Sequence, residues 1–164
     1  MKIGFGMLLI FGATLGLGVR FNIPRNCILV SSLIASLSHG FVAILKEFGA
    51  STAESAFVGA FLVAMSSEIL ARVMKVPSPV LSIPGVIPLV PGSLAYRAVM
   101  HMVREEEVLG IGVGVNVLLV AVGIASGLLL ASAISRRWLK PVFLGRQDIL
   151  TAEDATRVRN DAAL

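Results

Sequence analysis

Five long apolar runs, parted by short polar stretches, set the plan of this chain. Ile3–Val19, Cys27–Leu45 and Ala56–Met74 are each near the length a helix needs to cross a bilayer, about 20 residues. Val108–Ser135 follows with 28 residues and no charge, longer than a hydrocarbon core of about 30 Å requires at about 1.5 Å per residue. The fourth run, Val76–Tyr96 continuing to Val103, is different. Its first part has no charged side chain, yet it holds Pro77, Pro79, Pro84, Pro88 and Pro91. A proline inside a helix removes a donor and clashes with the preceding turn, at a cost of about 3 kcal/mol. The segment is membrane-like and cannot be one regular helix. The pattern predicts an all-α polytopic membrane helix bundle of about five spans, the fourth broken by prolines.

The polar connectors complete this plan. Arg20-Phe-Asn-Ile-Pro24-Arg25 reads as a tight basic turn, and in Lys46–Glu54 either Ser51 or Thr52 can cap the third helix. Arg104–Glu107 joins the fourth and fifth runs. Gly12 and Gly16 are spaced to admit a neighbouring helix. Residues 1–140 form the membrane module, closed by an interfacial anchor of Arg136, Arg137, Trp138 and Lys140; residues 141–164 read as a polar cytoplasmic tail. Lys2 ahead of an apolar stretch imitates a signal peptide. Arg20 and a further membrane run, directly after the small-residue positions, argue against cleavage.

Composition agrees with the pattern. The chain of 164 residues is 56% hydrophobic and 15% charged, where soluble domains carry about 25% charge. A net charge of +4 could suggest nucleic acid, but the basic residues stand at the ends of apolar runs, where topology explains them. With five crossings, Arg20, Arg25, Arg72, Lys75, Arg136, Arg137 and Lys140 share one side with the tail. By the positive-inside rule that side is the cytoplasm and the N-terminus lies outside. A re-entrant fourth segment would put the Arg136–Lys140 cluster on the wrong side. The single Cys27 excludes an internal disulfide and a multi-cysteine metal site.

Candidate chemistry centres on Pro88-Leu-Val-Pro91-Gly92-Ser93. Two half-helices meeting near the membrane middle would leave the second one's first N–H groups unpaired, with Gly92 or Ser93 at its start and Ser93 as N-cap. Such an end favours an anion, and broken helices mark substrate sites in secondary transporters. The plain alternative is a kinked helix repaired by its neighbours. Tyr96 is either a hydroxyl for the substrate or an interfacial ring, and Arg97 either a carboxylate clamp or a snorkelling arginine. His39, in a serine-bearing run, suits proton coupling or simple packing. Glu68 is the acid within a run and a proton-coupling candidate, although Arg72 four residues on makes an ion pair the leading reading. Asn116 is a candidate for helix packing or ligand contact. Gly110-Ile-Gly-Val-Gly114 lacks the lysine and strand of a phosphate loop. No catalytic constellation, metal site or cofactor motif emerges, so an enzyme is disfavoured.

Ile83-Pro-Gly-Val-Ile-Pro-Leu-Val-Pro-Gly-Ser-Leu-Ala-Tyr96 resembles the threonine/serine exporter family, in its short C-terminal-half module. Phe21-Asn-Ile-Pro-Arg25 and Ser38-His-Gly40 look like the same module, and the likeness runs from about Gly12 to Ser135. The resemblance implies a proton-coupled bacterial inner-membrane exporter of threonine, serine or, in a related two-protein system, a dicarboxylate such as succinate. It also implies a larger partner subunit supplying the half that this chain lacks. The many small residues suit contacts between copies as well, as in a homo-oligomer. The rival from another class is an assembly subunit that touches no substrate.

Overall fold

A computed structural model describes residues 2–139, with side chains from 3 to 137. The expected tail 141–164 and Lys140 lie outside the described residues. Among these there are six α-helices: α1 (Lys2–Arg20), α2 (Arg25–Glu47), α3 (Thr52–Met74), α4 (Ser78–Val86), α5 (Gly92–Val103) and α6 (Glu107–Leu139). A 3-10 turn, Ile87–Leu89, follows α4. Four helices are long and apolar enough to cross a membrane, and five if α4 with α5, bent by 41°, counts as one span. The bundle is a multi-pass membrane protein.

Local chemistry sets each joint. Asn22, in the left-handed region at φ 53°, turns the chain after α1, and Pro24 with its fixed φ leads into α2. Ser51 caps α3 in a reciprocal box: its Oγ accepts from the Glu54 N–H at 3.2 Å, while Glu54 Oε2 accepts from the Ser51 N–H at 2.9 Å. Lys75 at φ 55° ends α3 with the Val76 N–H donating back to the Ala71 carbonyl at 2.9 Å. Pro77 and Pro79 then fall where a helix begins and donors are not needed.

Helices α1 and α2 lie close because glycine meets side chain. A Cβ on Gly40 would come within 2.7 Å of the Met7 sulfur, and one on Gly18 within 2.8 Å of Ile28. Ser36 Oγ donates to the Met7 carbonyl at 3.0 Å, tying the pair. Gly12 and Gly16, spaced to admit a neighbouring helix, have nothing within 4 Å among the described residues. Spacing marks a smooth stripe without saying which side of the helix the neighbour takes. Helix α4 packs between α2 and α3, where Leu81 is fully buried against Cys27 and Ala71.

The register of α6 on α3 decides the topology. A Cβ on Gly123 would lie 2.7 Å from the Ala53 carbonyl oxygen, and one on Gly127 2.5 Å from that of Phe57. Both helices advance by four residues together, so they run parallel. A fourth segment that entered and returned on one side would have made them antiparallel. The broken segment therefore carries the chain across. Ala56, Ala60, Val120 and Ile124 form the core of this contact. Residues 107–122 of α6 begin beyond the start of α3 and pair with α5, where Gly110 approaches the Ala98 carbonyl. Ala98 is the buried residue of α5, which scarcely touches α1–α4.

Candidate functional site

The break is built in three steps. Pro84 sits within α4, Ile87–Leu89 tightens to a 3-10 turn, and Val90 is extended at φ −63°, ψ 129°. Pro91 then precedes Gly92, the first residue of α5. Gly92 starts the second half-helix as the sequence suggests, but Ser93 does not cap it. Ser93 lies inside the first turn, Pro91 holds the cap position, and no side chain caps the end. The first-turn N–H groups of Ser93 and Leu94 consequently have no carbonyl within their own helix.

Around this end lies a cavity of about 150 Å³. That is room for several waters or one small polar solute. Four elements converge on it: His39, Val42 and Lys46 from α2, Thr52 and Ala56 from α3, Pro88, Pro91, Ser93 and Leu94 from the break, and Val120 from α6. His39 stands between this space and α1, its Nε2 3.5 Å from where a Cβ on Gly6 would lie. Lys46 and the positive end of α5 bias the cavity toward an anion, and no carboxylate lines it. Hydroxyls of Thr52 and Ser93 add neutral partners for an amino or hydroxyl group.

Along α2 and α3 the cavity lies toward the connection between them. Lys46 is in the last turn of α2 and Thr52 is the first residue of α3. Leu89 packs on Gly59, about 10 Å along α3 from Thr52. Along α6 the cavity is lined by Val120, near the middle of Val108–Ser135, and the break lies centrally between Ser78 and Val103.

The predicted residues divide between places. Pro88, Pro91 and Ser93 line the cavity with His39, and Gly92 is exposed at the helix start. Tyr96 and Arg97 do not share it. They line a second space of about 320 Å³ with Met100, His101 and Arg104 on α5. Glu68 is about 18 Å along α3 from Ala56, accepts from Ser78 Oγ at 3.1 Å and pairs with Arg72 at 3.6 Å. It does not meet His39. Asn116 is exposed on α6, one turn before Val120. Lys46 and Thr52 are additions that the sequence reading assigned to a polar loop. The signal was available in the α2 spacing: His39, Val42 and Lys46 recur at three and four residues, one helical face.

No solved structure matches the chain. A family model described as "Threonine/Serine exporter, ThrE" matches residues 6–134, which include every residue lining the cavity. The match covers more than half of the chain and contains the proline-broken span as well as the Phe21–Arg25 turn. This chain belongs to the threonine/serine exporter family of membrane transporters.

Proposed function

We propose that the chain is the smaller subunit of a bacterial inner-membrane exporter of small carboxylates, threonine and serine or a dicarboxylate such as succinate, working with a larger partner. The observation that carries the reading is the cavity at the break, where the N-terminus of α5, Lys46, His39, Thr52 and Ser93 converge without an acid. A carboxylate sits against the Ser93 and Leu94 N–H groups and Lys46, and the hydroxyls take the remaining polar group. His39 is the proton-coupling residue. Glu68, already engaged by Ser78 and Arg72, holds α3 to α4 on this reading. The positive-inside rule, applied to the arginines and lysines, supports an N-terminus outside and a C-terminus in the cytoplasm on this reading. The partner covers the outer half of α6, whose Val108, Ile111, Val115 and Asn116 are exposed.

Efflux of labelled threonine, serine and succinate, from cells with and without this chain and its partner, tests the proposal. The chain is expected to raise efflux of at least one, and Pro88, Pro91 and Gly92 together changed to alanine should abolish it with membrane abundance unchanged. Equal efflux in all strains would sink the transport reading. If substitutions at His39 and Lys46 lower abundance alone and leave selectivity intact, the chain is an assembly subunit.

A further inference from the structure

Gly59, Val63, Ser67 and Ala71 recur every four residues on α3, one face of the helix, and all four are buried. The fourth segment passes them in reverse order. Leu89 lies against Gly59, a Cβ on Gly85 would come within 2.8 Å of Val63, and Leu81 packs on Ala71. At the far end Ser78 Oγ donates to Glu68 Oε1 at 3.1 Å. Glycine on one side meets a branched side chain on the other at two successive levels, so the seam is closely packed.

The cavity at the break ends on this seam. Its mouth is polar, with Lys46 and Ser93 exposed, and its floor is apolar, with Val42, Ala56 and Val120 buried. Val42 and Leu89 both press on Gly59. The space is therefore open toward the α2–α3 connection and closed toward Met74 and Ser78. Ser67 breaks the apolar character of the closed part. It is fully buried, and its Oγ has no hydrogen-bond partner among the described residues. Ser31, Ser32 and Ser55 are as deeply buried, yet each donates to a carbonyl three or four residues back, at 2.9, 2.8 and 2.9 Å. An unpaired buried hydroxyl is costly, and alanine in the same place would avoid the cost. Packing does not account for a serine there, whereas a polar step in a path that is closed in this conformation does. Helix α4 is the element able to open it. Its 9 residues lie between two non-helical joints, Lys75 to Pro77 with Lys75 at φ 55°, and Val90 at φ −63°, ψ 129°.

We propose that the α3–α4 seam is the closed half of the transport path and that Ser67 is a substrate-positioning residue within it, its hydroxyl donating to the substrate carboxylate as α4 parts from α3. The inference rests on the transport reading above and adds a residue outside the cavity. The test uses cells that carry the partner, with threonine, serine or succinate, whichever the wild-type chain exports. Ser67→Ala should lower the maximal export rate about tenfold with half-saturation unchanged, because the lost hydrogen bond belongs to the crossing and not to the loaded cavity. Its thermal stability in detergent should equal or exceed that of wild type, since no partner is lost. In a Cys27→Ser background, Ser67→Cys should be alkylated by N-ethylmaleimide faster with saturating substrate than without, as cycling opens the seam. One rate of alkylation under both conditions, or a loss of export by Ser67→Ala no greater than that of Ser32→Ala, would overturn the assignment and leave transport standing. Absence of export by the wild-type chain would instead sink the transport reading, and this one with it.

Discussion

A lysine seven residues after a histidine turns a break in a helix into a charged site. Lys46 is exposed at the end of α2 and yet reaches the wall that Ser93 and Thr52 share. Replacing it with glutamine removes the cavity's full positive charge but keeps a hydrogen-bond donor. A charge-assisted hydrogen bond contributes about 1.5–3 kcal/mol, so Lys46→Gln should weaken half-saturation for export about tenfold or more. Initial rates of efflux at graded internal substrate concentrations measure this. Ser51 is a residue with a purely structural part, closing the capping box on Glu54. Ser51→Ala should lower stability by about 1 kcal/mol, read by thermal unfolding in detergent, with the substrate dependence of efflux unchanged. Sequence alone made Ser51 legible, because the serine–glutamate spacing at a polar-to-apolar boundary has a local cause. It did not make Lys46 legible. A lysine beside Glu47 at the end of an apolar run looks like a topology marker until the break of another helix is seen against it.

At the scale of helices, prolines and glycines divide the work. Pro84, Pro88 and Pro91 forbid a continuous fourth helix, and the chain answers with a 3-10 turn and one extended residue before α5 begins. The presence of the break was legible because its cause is local. Which side chains face it was not, because that is set by how α4 packs between α2 and α3. The same limit explains Gly12 and Gly16, which make a smooth stripe on a side of α1 that the described chain does not use. Close approach falls instead to Gly18 and Gly40 between α1 and α2, and to Gly123 and Gly127 between α6 and α3. A side chain at Gly127 meets the backbone oxygen of Phe57, which cannot rotate away. Gly127→Leu should therefore destabilise the bundle by about 1–3 kcal/mol or more and lower its abundance in the membrane. Gly12→Leu should leave the isolated chain's thermal stability within about 0.5 kcal/mol. Comparable losses at both positions would show that α6 does not sit on α3 in the register described.

For the whole molecule, the apolar runs and their boundary charges made the class and the number of spans readable. Parallel α3 and α6 agree with a broken segment that carries the chain from one end of α3 to the other. Tyr96 and Arg97 looked like site residues because they follow Ser93 within a turn. The 41° bend takes α5 out of the bundle and gives them a separate face. Proximity in sequence failed there because the helix that starts the site also leads away from it. The account's central claim is that substrate occupies the space beside Ser93. It is tested most directly by alkylating Ser93→Cys in a Cys27→Ser background, in cells that also carry the partner and still export. Threonine, serine or succinate, whichever is exported, should slow modification of Ser93→Cys and leave that of Arg97→Cys unchanged. Equal modification of Ser93→Cys with and without saturating substrate, while export continues, would contradict the account.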